Sequence, residues 1–97
     1  MRFLEIEGDK LSDFMKEAGD IFGNLPVYFQ KTMRGETSLD EVTYFLFTYE
    51  KYASGMSYEE FTGRLRQLPI RFYYDRVASI QRTLYPIEVI EGSLFLE

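Results

Sequence analysis

"NLPVYF" (residues 24–29) and "QLPIRF" (residues 67–72) follow one pattern: amide, Leu, Pro, β-branched residue, variable residue, Phe. How these two stretches are read decides whether the chain is a series of packed helices. A proline ring fixes φ near the helical value, and in the first turn of a helix its missing N–H costs nothing. The same ring disfavours helical ψ at the residue before it. Leu25-Pro26 and Leu68-Pro69 are therefore expected to be corners, each ending one helix and starting another. The Leu and Phe of each hexapeptide would pin the joint into the core.

Apolar spacing supplies the helices on either side of these corners. Upstream of the first, Leu11, Phe14, Met15, Ala18, Ile21 and Phe22 gather on one stripe of a helix over 10–22, with Asp13, Lys16, Glu17 and Asp20 opposite. Asp9 is the expected N-cap and Gly23 the expected left-handed stop. Residues 26–34 read as a short second helix closed by Gly35. "SLDE" (38–41) and "SYEE" (57–60) both match the capping box, in which Ser caps and Glu stands three positions on. They predict helices over 38–53 and 57–68, with Gly55 between them. The second corner opens a helix over 69–84 with the stripe Ile70, Tyr73, Tyr74, Val77, Ile80 and Leu84, broken at Tyr85-Pro86.

The two ends carry a different period. "RFLEIE" (2–7) alternates Leu4 and Ile6 against Phe3, Glu5 and Glu7, the pattern of a half-buried strand. "IEVIEGSLFL" (87–96) reads as two β-prone runs around a Glu-Gly turn. The expected fold is α+β and predominantly helical. About five helices would pack on a small sheet made by the N-terminal strand and the C-terminal hairpin. Ninety-seven residues leave room for one domain, spanning 1–97.

Composition narrows the function. The chain has no cysteine, hence no disulfide framework and no thiolate chemistry. It has no histidine, which removes the commonest general base and the commonest transition-metal ligand together. No phosphate-binding glycine loop, nucleophile elbow or metalloprotease helix is present. Asp9, Asp13 and Glu17 recur every four residues, but the outer two stand about 12 Å apart along a helix, too far to share one ion. No cofactor or metal is expected, and a carboxylate-based enzyme is the weakest of the functional readings. "MRFLEIEGDK" carries Glu5 and Glu7 where a secretory signal needs a continuous apolar core, and no apolar run is long enough to span a bilayer. A cytoplasmic protein without membrane contact is the expectation.

What remains is binding. The helix over 38–53 is apolar nearly all round: Leu39, Val42, Leu46, Tyr49 and Ala53 form its stripe, while Tyr44 and Phe47 fall on the other side near Asp40 and Lys51. Such a helix is either central to its own domain or covered by a partner. The net charge of −5 is also unevenly spread: residues 64–82 hold Arg64, Arg66, Arg71, Arg76 and Arg82 against the single Asp75. Arg76 is expected to lie over Phe72, one turn back. The function expected is a small non-catalytic regulatory or accessory protein that binds another protein presenting an acidic or apolar patch, with self-association as a further expectation. Its candidate residues are Tyr44, Phe47, Lys51, Arg64, Arg66, Arg71, Phe72, Arg76 and Arg82. The alternative is a nucleic-acid-binding module using the Arg segment, which an acidic domain of sequence pI near 4.7 disfavours for want of a positive field.

Overall fold

Residues 6–85 are described by a computed structural model, in which they form five helices: α1 (Gly8–Phe22), α2 (Leu25–Met33), α3 (Leu39–Ser54), α4 (Tyr58–Leu65) and α5 (Ile70–Leu84). The described residues contain no strand, so the α+β expectation is corrected to an all-helical architecture. Ile6 and Glu7, the described end of the expected 2–7 strand, do not pair. Glu7 is instead the N-cap of α1, its carbonyl accepting from the backbone of Lys10 and Leu11 at 3.0 and 2.9 Å. A residue whose carbonyl already serves a helix is not available to a strand ladder. Asp9 lies inside α1 rather than capping it. The expected hairpin over 87–96 lies outside the described residues.

Local chemistry sets the helix boundaries. Ser38 and Ser57 each accept a hydrogen bond from the backbone N–H three residues on, at 3.1 Å from Glu41 and 3.2 Å from Glu60, so both serines cap the helices that follow them. Gly55 ends α3 in the left-handed conformation (φ 68°, ψ 19°), which a side chain would resist. Gly23 also has positive φ (81°), but its ψ of −148° takes the chain out of α1 fully extended rather than in a left-handed cap. Tyr85 is extended, as a residue preceding proline prefers, and α5 stops before it.

The two hexapeptides are both corners, but they are not equivalent. At the first, Asn24 caps α2 by accepting from Val27 N–H at 3.1 Å, and Leu25 and Phe29 are both buried. At the second, Gln67 makes no such cap and Pro69 itself is the N-cap residue. The helix therefore begins one residue before the proline in one case and one residue after it in the other. Phe29 is fully buried, whereas Phe72 is 39% exposed and Tyr73 takes the inward place beside it. The expectation that both Phe residues pin their joints holds only for the first.

α3 is the central helix. It packs against α1, α4 and α5, while α2 packs against α1 and α5. Val42, Phe45, Leu46 and Tyr49 are sealed from solvent on its inner side. The Phe45 ring meets four others: Tyr28 at 5.0 Å, Phe22 at 5.3 Å, Phe29 at 5.5 Å and Phe14 at 5.9 Å. The contacts with Phe14, Phe22 and Phe29 are edge-on and that with Tyr28 is tilted; aromatic pairs add about 0.5–1.5 kcal/mol each beyond the area they bury. These rings join α1, α2 and α3. Among the described residues no helix is long and apolar enough to cross a membrane.

These placements separate the two corners experimentally. Phe29→Ala should cost about 3–5 kcal/mol in urea denaturation, a large share of the total stability of a domain this size. Phe72→Ala, at the matching position of the second hexapeptide, should cost less than about 1 kcal/mol.

Candidate functional site

The outer side of α3 presents Asp40, Tyr44, Phe47 and Lys51 at helical spacing. Tyr44 is 43% exposed, with its ring 6.1 Å from both Phe22 of α1 and Phe47. Phe47 is half-buried because α4 folds over it: Tyr58 meets its ring edge-on at 5.0 Å and Phe61 lies 5.8 Å away on the core side. Tyr58 itself is 51% exposed. The result is a short surface row of Tyr44 and Tyr58 with Phe47 held between them. Tyr58 was not among the residues expected from the sequence. Its place directly after the capping Ser57 marked it as a helix start, and nothing in the local pattern said that α4 would lie against Phe47.

Lys51 is engaged inside the molecule. Its Nζ donates to Glu17 Oε2 at 2.6 Å, and the Tyr52 hydroxyl donates to the other oxygen of the same carboxylate at 2.7 Å. The Lys51 and Tyr52 hydrogen bonds hold the Glu17 carboxyl below the usual carboxylate range, while the carboxylate raises the Tyr52 phenol. This clamp ties α1 to α3. It also commits one of the three carboxylates that the sequence spaced along α1. Among the described residues no group of three metal-binding side chains converges.

The arginines divide into two kinds. Arg64, Arg66, Arg71 and Arg82 are exposed, and the Arg71 guanidinium lies 5.1 Å from the centre of the Phe72 ring. Arg76 turns inward, with its side chain only 16% exposed. It stands over Tyr49 at 5.0 Å, not over Phe72 as expected, and its Nη2 donates to Glu50 Oε1 at 3.4 Å. The cause is its position on the helix, beside Tyr73, Val77 and Ile80, which draws the aliphatic stem in with them. Arg66 borders a shallow groove of about 210 Å³ together with Leu39, Asp40, Tyr58 and Tyr73.

Glu50, 3% exposed, is the residue the sequence reading passed over. A trace was present: it stands four residues after Leu46 and three before Ala53, within the inner stripe of α3. Burial pushes its carboxyl above the usual range, opposed by Arg76, Ser54 and the nearby charge of Arg64. A second cavity, of about 350 Å³, lies between Phe22, Asn24, Tyr28, Thr37 and Glu41. Burial drives the Tyr28 hydroxyl above the ordinary phenol range there, with Thr32 acting in the opposite sense.

The candidate residues therefore do not form one site. Tyr44, Phe47 and Lys51 lie on the outer side of α3. Arg71 and Arg82 lie on the outer side of α5, which packs on α3's inner side, so the two sets face away from each other. Arg76 belongs to neither surface.

Two outcomes follow for the buried pair. Arg76→Ala leaves the Glu50 charge without its principal counter-ion and should cost about 3–5 kcal/mol, read by chemical denaturation. A carboxyl raised in the folded state favours folding while it is protonated, and that contribution is lost as pH climbs from its ordinary value through the raised one. The wild type should thus lose stability relative to Glu50→Gln as pH rises above about 4.5 toward neutrality. A difference that stays constant across that range would mean Glu50 titrates normally.

No known protein-family model matches this chain, and no curated protein or solved structure is significantly similar to it.

Proposed function

We propose that this chain is a small non-catalytic regulatory or accessory protein that acts by binding another protein. The observation that carries the reading is the row of Tyr44, Phe47 and Tyr58. Two exposed tyrosines flank a phenylalanine that α4 already holds in place. Tyrosine offers large contact area with few rotatable bonds, and it is enriched where one protein covers another. Locking Phe47 beforehand lowers the ordering cost of association. Asp40 and Glu59 beside these rings would set orientation more than affinity. The proposed location is the cytoplasm, since a fold that uses no cysteine requires no oxidising compartment.

A second reading has its own observation: Arg64, Arg66, Arg71 and Arg82 are all exposed on α4, the turn after it, and α5. Phosphate backbones attract such a set, but the net charge of −5 opposes approach of any polyanion. An acidic patch on a partner protein suits these arginines better, because a few planar guanidinium contacts need no field over the whole molecule.

Affinity capture with the wild-type chain, Tyr44→Glu and Arg82→Ala tests the first reading. A partner retained by the wild type and by Arg82→Ala but lost with Tyr44→Glu is the expected result, with all three chains giving the same helical circular dichroism spectrum. Partners that ignore Tyr44→Glu would remove the aromatic row from the function. Labelled DNA and RNA titrated at several salt concentrations test the second reading. No appreciable binding is expected at physiological salt. Micromolar affinity that falls by orders of magnitude with added salt would move the function to nucleic acid.

A further inference from the structure

We propose that the cavity between α1, α2 and the start of α3 binds a free α-amino acid with an apolar side chain, its carboxylate at Lys31 and its ammonium at Glu41. The site is separate from the docking of a protein on Tyr44 and Tyr58, and neither reading depends on the other.

The cavity measures about 350 Å³, at the small end of the roughly 300–1,000 Å³ usual for small-molecule sites. Its walls come from both sides of the first corner. Phe22 closes α1, Val27 and Tyr28 stand in the first turn of α2, and the Phe22 and Tyr28 rings meet at 5.1 Å. Val27 is 44% exposed, so part of this apolar wall has no cover among the described residues. Lys31 follows Val27 one turn on, along the same side of α2. Glu36 and Thr37 enter from the turn after α2, and Glu41 from the first turn of α3.

The charges around the cavity do not cancel among themselves. Glu36 is held by Arg34 at 2.7 Å. Among the described residues the Lys31 and Glu41 side chains make no ion pair and no hydrogen bond, with each other or with any third group. Glu41 is engaged only through its backbone N–H, which donates to Ser38. Asn24 Oδ1 accepts from Val27 N–H, which leaves the Asn24 amide hydrogens as unused donors. The cavity therefore offers one free cation, one free anion and a neutral donor beside an aromatic wall.

That set selects the charge type of the occupant. A phosphate or other anion would gain Lys31 but meet Glu41 and Glu36. An amine would gain Glu41 but meet Lys31. A molecule carrying both signs satisfies both side chains and is repelled by neither. Size then narrows the choice. An α-amino acid bears its two charges on one carbon, leaving its side chain to lie on Phe22, Val27 and Tyr28. The terminal residue of a peptide keeps only one of those charges and leaves Lys31 or Glu41 unmatched.

Amide NMR spectra of the chain, titrated with L-phenylalanine, L-leucine or L-methionine to about 10 mM, test the assignment. At least one of the three should give saturable shifts centred on Val27, Tyr28, Lys31, Thr37 and Glu41. The matching amine, which lacks the carboxylate, and the matching acid, which lacks the ammonium, should each bind about tenfold more weakly. Lys31→Met and Glu41→Gln should each weaken the amino acid by a similar factor, with unchanged circular dichroism. Lys31→Met should leave the amine's affinity undiminished, and Glu41→Gln that of the acid. The ligand series decides the matter by itself should either variant fail to fold. No saturable shift with any of the three amino acids overturns the proposal. An amine or acid that binds as tightly as the amino acid does so too, as do shifts centred elsewhere or an affinity indifferent to both substitutions.

Discussion

Everything in this domain is arranged around the burial of one side of α3. Phe45 sits among Phe14, Phe22, Tyr28 and Phe29, so a single ring joins the three helices that precede the α4 turn. A chain of this length has little apolar area to spare, and aromatic rings deliver the most of it per residue. The first Leu-Pro corner follows from that demand. Phe29 can reach Phe45 only if α2 starts at Leu25, and Asn24 makes that start possible by supplying the cap. At the second corner the inward ring is Tyr73, one residue on, so Phe72 is left outside, and the proline rather than an amide stands at the cap.

A second constraint fixes α5 against the same helix. Glu50 and Arg76 meet across the α3–α5 contact with most of their surface removed from water. A buried ion pair of this sort is weak as a source of net stability, because desolvating both charges offsets most of their attraction. Its effect is on register. Sliding or turning α5 by one residue would carry the guanidinium away from the carboxylate and leave a charge buried alone, while the apolar residues around it would tolerate the shift far better. We read the pair as the element that selects one docking of α5 among several of similar apolar burial. Tyr49 reinforces it, since its ring lies under the same guanidinium. The Lys51–Glu17–Tyr52 clamp plays the parallel part for α1, at a more exposed position where each contact is worth less.

The helices were legible because period, capping boxes and proline corners all point the same way at residues 10–22, 38–53, 57–68 and 69–84. The sheet was not, and the reason lies in how little a short alternating run specifies. Ile6 and Glu7 alternate as strand residues do, yet a strand exists only where a neighbour supplies hydrogen bonds, and α1 claimed the Glu7 carbonyl first. The surface features divide in the same way. Arg71 could be read as outward-facing from spacing alone, whereas spacing left Tyr44 open between core and interface. Arg76 and Tyr58 could not be read, and spacing put Glu50 on the inner side of α3 without showing its partner, because each owes its environment to a residue on another helix. Spacing assigns a residue to a side of its own helix; it does not say which neighbour will lie there.

That limit bears directly on function. The apolar excess of α3 could have meant a partner covering it, and the fold meets most of the demand from within by wrapping α1, α4 and α5 around it. Among the described residues, Leu39 and Tyr44 of α3 and Tyr58 of α4 remain exposed. α4 spans eight residues, ending at Leu65, and it shields Phe47 with Tyr58 and Phe61 but extends no cover to Tyr44. The outer side of α5 is uncovered for a different reason. Among the described residues Arg71 and Arg82 stay exposed, with Asp75 exposed between them on the same side, and these charges favour water. On the proposed protein-binding reading, the same central helix would be used twice, its inner side for folding and its outer side for recognition. Substitutions on the two sides should therefore separate cleanly into those that change stability and those that change association.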